Sequence, residues 1–146
     1  MKIFLLIIFL LTSCNAISKD INSKKNISTK KIESINYFKW KNRILIIREN
    51  NTTKKINKFS KQFNERDILI IKIKDKKSYI NDNLMPEKFY KTIDKKIKNI
   101  NKSFTCILIG KDGKIKKTYF KDIDINEIFK KVDSMPMRMQ ELKKIN

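Results

Sequence analysis

Short apolar runs alternate along the middle of the chain with segments in which apolar residues recur every three or four positions. Two of the runs, residues 44–47 and 68–73, are rich in isoleucine, and the continuous apolarity of the first is typical of a strand buried on both faces. Between them, Ile56, Phe59 and Phe63 lie on one face of a predicted helix. Because a helix connects the two runs, the pattern predicts a parallel strand pair with a right-handed crossover.

A second helix and a hairpin follow in the pattern. After Pro86, which suits a first helical turn, an apolar stripe repeats at spacings of three or four residues. The stripe consists of Phe89, Ile93, Ile97 and Ile100. Strands are predicted at 104–109 and 115–120, and the Asp112-Gly113 pair between them favours a tight reversal that makes the two strands antiparallel.

The last predicted helix begins at Asp124, which with Glu127 resembles a capping box. Its apolar stripe consists of Ile125, Ile128, Phe129, Val132 and Met135. Pro136 is expected to end or kink this helix because proline lacks an N–H, and residues 137–144 are expected to add a turn or two. The element order β-α-β-α-β-β-α predicts an α/β fold, a thioredoxin-like three-layer sandwich with a four-stranded mixed sheet and helices on both faces.

The N-terminal residues follow a different pattern. Lys2 precedes an unbroken apolar run at 3–11, which is far shorter than the roughly 18–20 residues that cross a bilayer. The run ends in Leu11-Thr12-Ser13-Cys14, which resembles a bacterial lipobox, in which the cysteine is acylated and becomes the mature N-terminus. We therefore expect residues 1–13 to be a signal peptide and Cys14 to carry palmitate or another acyl group. The expected product is a membrane-anchored lipoprotein of the bacterial cell envelope that faces the periplasm or the exterior.

Residues 14–36 are expected to form the lipid anchor and a flexible tether, because Asn, Ser and Lys dominate there and apolar residues are sparse. The domain itself is expected at 37–146, a length that suffices for one hydrophobic core. Trp40, near its start, is expected to pack against the domain rather than to lie on the surface.

The chain is strongly basic, with 35 Lys and Arg against 15 Asp and Glu and a formal net charge of +20. Such a charge favours anionic lipid, nucleic acid or acidic polymers. Lys is spread almost evenly, however, and the abundance of Lys, Ile and Asn is also what an AT-rich genome produces by codon bias. The expected partners are the membrane through the lipid anchor, and anionic lipid or another envelope protein. No specific nucleic acid is expected, since the sequence lacks an arginine cluster or interleaved basic and aromatic residues.

Histidine is absent, which excludes a Ser-His-Asp triad, a Cys-His pair and a histidine-rich zinc site. With Cys14 acylated, Cys106 is the remaining cysteine and has no partner for an internal disulfide. It lies within the apolar run at 104–109, where a buried thiol is inert. No catalytic residue, cofactor or metal ligand is therefore predicted.

Three segments together resemble one family of domains. They are residues 38–45, 104–116 and 132–141, and the Met-Pro-Met-Arg sequence at 135–138 is the most specific part. They look like an uncharacterised bacterial exported domain of unknown function, the P-DUDES group, which also occurs in vertebrate sushi-repeat-containing extracellular proteins and is thought to be related to peroxiredoxins and thioredoxins. The resemblance covers residues 37–144 and implies a thioredoxin-like fold without a settled activity.

The chain lacks both parts of the thioredoxin redox apparatus. Thioredoxin-like enzymes place a reactive cysteine where the first helix begins, and this place is here occupied by Asn50, Asn51, Thr52 and Thr53. The proline that precedes the third strand in thioredoxins is also missing, because Ser103 lies there. The polar residues at 50–53 form a candidate anion-binding helix end, with ordinary capping as the simpler interpretation.

Arg138 and Glu141 are the other candidate ligand-binding residues. Beside the bend at Pro136 they could form a small exposed recognition site. Residues three apart on a helix also pair with each other, which is the simpler interpretation.

The favoured function is a lipid-anchored envelope protein with a non-catalytic thioredoxin-like domain that serves as a binding or structural module. One alternative is a partner-dependent or cysteine-independent redox enzyme related to peroxiredoxins. A second alternative, which depends on charge alone, is a polyanion or nucleic-acid binder.

Overall fold

A mixed six-stranded sheet forms the centre of the molecule. The computed structural model describes residues 31–48 and 56–144. Within them the strands are β1 (Arg43–Arg48), β2 (Ile68–Lys74), β3 (Lys77–Ile80), β4 (Asn83–Leu84), β5 (Cys106–Ile109) and β6 (Ile115–Tyr119), in the order β4-β3-β2-β1-β5-β6. β1 and β2 are parallel, and the other neighbouring pairs are antiparallel. The predicted class, α/β with a mixed sheet, is confirmed.

Helices cover both faces of this sheet. In the described ranges they are a short 3-10 helix (Ile35–Phe38), α1 (Ser60–Glu65), α2 (Glu87–Ile97), α3 (Ile125–Asp133) and α4 (Pro136–Lys143). β1 supplies alternate residues to two cores, as the period of a strand requires. Ile44 and Ile46 pack with α2 and the 3-10 helix, whereas Leu45 and Ile47 pack with α1 and α3. β1 is thus buried on both faces, as its continuous apolarity predicts.

The predicted helical stripes lie on the buried sides of α2 and α3. The buried members within the two helices are Phe89, Ile93, Ile97, Ile125, Ile128, Phe129 and Val132, and Met135 is buried directly before α4. Asp124 precedes α3 as predicted, and its carboxylate accepts a hydrogen bond from the N–H of Asn126. Glu127, the expected capping-box partner, forms an ion pair with Lys117 of β6. Pro136 is the first residue of α4, so it separates two helices rather than kinking one.

The sheet is larger than the four strands predicted, because β3 and β4 extend it beyond β2. Asp75-Lys76 links β2 to β3, and Asn81-Asp82 links β3 to β4. All four residues have positive φ, from 47° to 63°, as type I′ hairpin turns require. The strongest sequence signal for such a turn is glycine in its second position, and neither turn has one. The two short strands therefore leave little trace in the sequence pattern.

Lys76→Gly is expected to raise the free energy of unfolding by about 0.5–1 kcal/mol, because left-handed backbone is unfavourable for an L-residue and lysine adopts it here with a φ of 57°. Part of the gain is offset by the greater freedom of glycine in the unfolded chain. Urea denaturation followed by circular dichroism measures the change. Lys77→Gly, one residue later in β3, is the matched control and should destabilise. A loss of stability in both variants would speak against the type I′ turn.

The folded part of the chain begins before residue 37, the predicted domain boundary. Ile32 and Ile35 are buried, and the N–H of Ile35 donates a hydrogen bond to Oγ1 of Thr92 at 3.0 Å. Ile32, Ile35 and Phe38 recur every three residues, which is the period of a 3-10 helix rather than of an α-helix. Residues 32–36 therefore belong to the domain and not to the tether. The predicted signal peptide, Cys14 and the remainder of the tether up to residue 30 lie outside the described residues.

Trp40 lies on the surface, contrary to the expectation that it packs at the start of the domain. Its side chain is 62% exposed. Its φ is 65°, which directs the chain through a tight left-handed turn between the 3-10 helix and β1. Its backbone N–H donates a 2.7 Å hydrogen bond to the carbonyl of Lys111, which fixes this turn against the connection between β5 and β6.

Candidate functional site

Four charged side chains meet where β1 begins, and we call Arg43, Lys111, Arg138 and Glu141 the Glu141 cluster. Arg43 is the first residue of β1 and is only 1% exposed. The alternation of the strand places it on the same face as Leu45. Its Nη1 and Nη2 atoms donate hydrogen bonds to Oε2 and Oε1 of Glu141, each at 3.1 Å. Two parallel bonds of this kind give the strongest and most specific geometry between arginine and a carboxylate.

Lys111 and Arg138 bring two further cations to the same carboxylate. Lys111 lies in the turn between β5 and β6, and its Nζ is 2.7 Å from Oε1 of Glu141 and 2.7 Å from Oδ2 of Asp67. Arg138 lies three residues before Glu141 in α4, and its Nη1 is 3.4 Å from Oε2. The start of β1, the β5–β6 turn and α4 are therefore joined at one carboxylate.

A second ion pair continues this network. Nε and Nη2 of Arg66, which follows α1, donate hydrogen bonds to the carboxylate of Asp133 at 2.9 and 2.8 Å. The Arg66 guanidinium also lies 4.5 Å from the ring centroid of Phe129, and its backbone carbonyl accepts a hydrogen bond from Arg43. Nε of Arg138 is 3.6 Å from Oδ1 of Asp133. The end of α3 and the start of α4 are thus held to the connection between α1 and β2.

Glu141 is held ionised by these neighbours. Partial burial alone would raise the pKa of its carboxyl, but hydrogen bonds from Lys111 and Arg43 and the charges of both outweigh this effect and lower the pKa to about 2. A carboxylate with so low a pKa is a very weak base, and its oxygens already accept hydrogen bonds. The Glu141 cluster is therefore suited to attaching α4 to the sheet and poorly suited to proton transfer.

Two of the four members, Arg138 and Glu141, are residues that the sequence predicts as a candidate site. The structure brings them together as the predicted pair. Arg138 is buried, so its guanidinium is not presented to solvent as an exposed recognition site requires. A ligand at Glu141 stays a prediction. The other four candidate residues lie outside the described residues; they are Asn50, Asn51, Thr52 and Thr53.

Arg43 and Lys111 are members of the cluster that the sequence did not reveal. Both lie in segments that carry the family resemblance, Arg43 in 38–45 and Lys111 in 104–116, while the other two members lie in 132–141. Each charge looks like an ordinary solvated lysine or arginine in a chain this basic. The one signal that could have indicated the cluster is that the three segments carry opposite charges, with Arg43 and Lys111 in two of them and Glu141 in the third.

Cys106 is the first residue of β5, a strand with a neighbour on each side. It pairs in register with Ile47 of β1 on one side and with Tyr119 of β6 on the other. Its side chain is 0% exposed, and burial, with a smaller contribution from the charge of Glu127, raises the pKa of the thiol to about 12. The predicted burial of Cys106 is confirmed, and a thiol in this environment supplies almost no thiolate for nucleophilic or redox chemistry.

Residues 31–48 and 56–144 contain neither a candidate metal site nor a candidate membrane span. No group of three or more Cys, Asp or Glu side chains in these ranges is placed to hold a metal ion. None of the helices there combines the length and the apolarity that crossing a bilayer demands.

The comparisons with known proteins bear on the region that contains the Glu141 cluster. Neither a curated protein nor a solved structure matches the chain. A family model matches residues 34–141, which include the whole cluster and all the described strands. The chain therefore belongs to the family described as Domain of unknown function (DUF4174).

Proposed function

We propose that this protein is a lipid-anchored component of the bacterial cell envelope and that its domain is a non-catalytic binding or structural module. The anchor is supported by the sequence, in which Leu11-Thr12-Ser13-Cys14 follows a short apolar run and a single lysine. The absence of catalysis is supported by the chemistry of the domain, because its one thiol is packed in the core and Glu141 is engaged in ion pairs.

The proposed scaffold is thioredoxin-like. Four strands follow the order β2-β1-β5-β6, with a parallel pair on one side, an antiparallel hairpin on the other and helices on both faces. The β3–β4 hairpin is an addition at the β2 edge. Thiol chemistry on such a scaffold needs a cysteine between β1 and the first helix, and the sequence from Arg48 to Ile56 contains none.

The buried position of Cys106 is the main support for the proposal that the domain is not catalytic. Apart from the cysteine proposed for acylation, Cys106 is the only thiol of the chain. Its side chain lies in the core cluster that α1 and α3 cover, so exposure of the sulfur would require these helices to separate from the sheet. The chain also has no histidine to act as a general base near neutral pH.

We expect the thiol of Cys106 to be unreactive in the folded protein. In the chain from residue 14 onward with Cys14→Ser, Cys106 is the only thiol, and its raised pKa alone leaves about 1,000-fold less thiolate than an ordinary cysteine has. Labelling with a thiol reagent should therefore be slow until urea unfolds the protein. Cys106→Ala should cost on the order of 1 kcal/mol of stability and leave the fold intact.

The same preparation should show neither disulfide-reductase nor peroxidase activity. Turnover that depends on a thiol and disappears in Cys106→Ala would overturn the non-catalytic proposal and favour the redox alternative. Fast labelling of Cys106 in the native protein, at a rate close to that in urea, would also contradict the non-catalytic proposal.

A further inference from the structure

We propose, on the basis of the lipid anchor proposed above, that the entry turn (residues 37–41) docks the domain onto an anionic membrane surface. Tyr37 and Trp40 would lie at the boundary between lipid and water, and Lys39 and Lys41 among the phosphate headgroups. The anchor explains why the protein is at a membrane, whereas the entry turn determines which side of the domain faces it.

The aromatic side chains of the entry turn are exposed although its backbone is firmly held. Trp40 is 62% exposed and Tyr37 is 52% exposed. Phe38 between them is buried, and its ring packs on α2. The N–H groups of Lys41 and Asn42 both donate to the carbonyl of Phe38, at 3.1 and 2.9 Å. The turn therefore presents two rings to solvent from a fixed backbone.

Trp40 adopts a backbone conformation that is unfavourable for an aromatic residue. Its φ of 65° lies in the left-handed region, which bulky residues rarely enter. The hydrogen bond to the carbonyl of Lys111 holds this conformation, but the indole gains little from packing because most of it is in water. A strained and exposed tryptophan beside an exposed tyrosine favours a contact made outside the chain.

Two lysines lie against these rings. Nζ of Lys39 is 5.3 Å from the ring centroid of Trp40, and Nζ of Lys41 is 3.9 Å from that of Tyr37. Among the described residues neither lysine has a carboxylate within ion-pair distance. Both charges are therefore available to phosphate groups, and each ring lies beside a cation that would accompany it to the surface.

A lipid surface fits this combination of side chains. Tryptophan and tyrosine are enriched at membrane–water interfaces, and lysines near the surface are attracted to anionic headgroups. Residues 15–30 separate Cys14 from the first described residue, Lys31, and a chain of that length spans at most roughly 55 Å. The chain enters the domain just before the entry turn, so an anchor at Cys14 keeps this part of the domain within roughly 55 Å of the bilayer.

The proposal can be tested by fluorescence, since Trp40 is the only tryptophan of the chain. The test uses the chain from residue 14 onward with Cys14→Ser, so that no acyl group delivers the protein to lipid. With phosphatidylglycerol-containing vesicles at physiological salt, we expect the emission of Trp40 to shift to shorter wavelength and to be quenched by brominated acyl chains. Pure phosphatidylcholine vesicles should produce neither change.

Two charge-matched double variants separate this surface from the overall charge. Lys39→Gln with Lys41→Gln should weaken vesicle binding about 10- to 30-fold, because both lysines lie at the proposed contact. Lys130→Gln with Lys131→Gln removes the same charge from α3, on the opposite face of the sheet, and should weaken binding by less than about 3-fold because of screening. Trp40 remains as the reporter in both.

Three results would overturn the proposal. They are equal losses of affinity in the two double variants, sedimentation with vesicles without any change in Trp40 emission, and a response of Trp40 to DNA or heparin but not to vesicles. The last result would favour the polyanion alternative. Because the assay uses a chain without acyl groups, its failure would leave the anchor at Cys14 to be decided by a separate measurement.

Discussion

Glu141→Gln should lower the free energy of unfolding by about 2 kcal/mol. This loss is smaller than that expected on breaking a fully buried ion pair, because the side chain of Glu141 is 25% exposed. The variant keeps the shape of the side chain but leaves the guanidinium of Arg43, which is almost completely buried, without its counter-charge. Lys111 and Arg138 lose the same partner. Urea denaturation measures the change, and hydrogen exchange should show the largest loss of protection in α4.

Glu65→Gln is the matched control, because it makes the same chemical change at an exposed residue at the end of α1. We expect its effect to lie within about 0.5 kcal/mol of zero, as for most surface substitutions. If Glu141→Gln is no more destabilising than Glu65→Gln, the Glu141 cluster does not attach α4 to the sheet. A double-mutant cycle with Arg43→Met isolates the pairwise contribution.

The low pKa of Glu141 also gives this contribution a defined pH dependence. The pKa falls from an ordinary value of 4.5 to about 2 on folding, so the unfolded chain binds more protons between these values. The contribution is therefore complete above about pH 4.5 and is lost as the pH falls toward 2. The difference in stability between the wild type and Glu141→Gln should narrow over this interval. A difference that widens with acidification would contradict the assignment.

Most of the fold could be predicted because burial imposes a local period on the sequence. A strand covered on both faces needs a continuous apolar run, as in 44–47, and a helix covered on one face needs a stripe such as that of Phe89, Ile93 and Ile97. Pro136 was informative for a different reason: its missing N–H excludes it from a helix interior, and it is the first residue of α4. These signals lie within a few residues of the structure that they predict.

The features that could not be predicted leave no pattern in the sequence near the residues that form them. The type I′ turns between β2 and β3 and between β3 and β4 lack glycine, and the 3-10 helix repeats at three residues over a single turn. Arg43 and Glu141 are 98 positions apart, and no periodicity relates two charges at that distance in a chain rich in charge. The sequence therefore indicated the half of the cluster that lies within α4 and not the half that depends on the assembled sheet.

Cys14→Ser is expected to abolish acylation completely, the largest effect predicted for any substitution. The sulfur of Cys14 is the proposed attachment site, and a pair of acyl chains is what holds a lipoprotein stably on a bilayer. Labelled fatty acid should no longer be incorporated, the chain should retain residues 1–13, and its distribution between membrane and soluble fractions should change. Cys106→Ser removes the other cysteine and should leave labelling and processing unchanged.

The mass of the N-terminal peptide, obtained from wild-type protein in the membrane fraction of a bacterial host, tests the proposed anchoring most directly. We predict a peptide that begins at Cys14 and carries the mass of a diacylglycerol group on that residue. A peptide that begins at Met1, or a chain processed elsewhere with an unmodified Cys14, would contradict the proposal that this domain is held at the membrane by lipid.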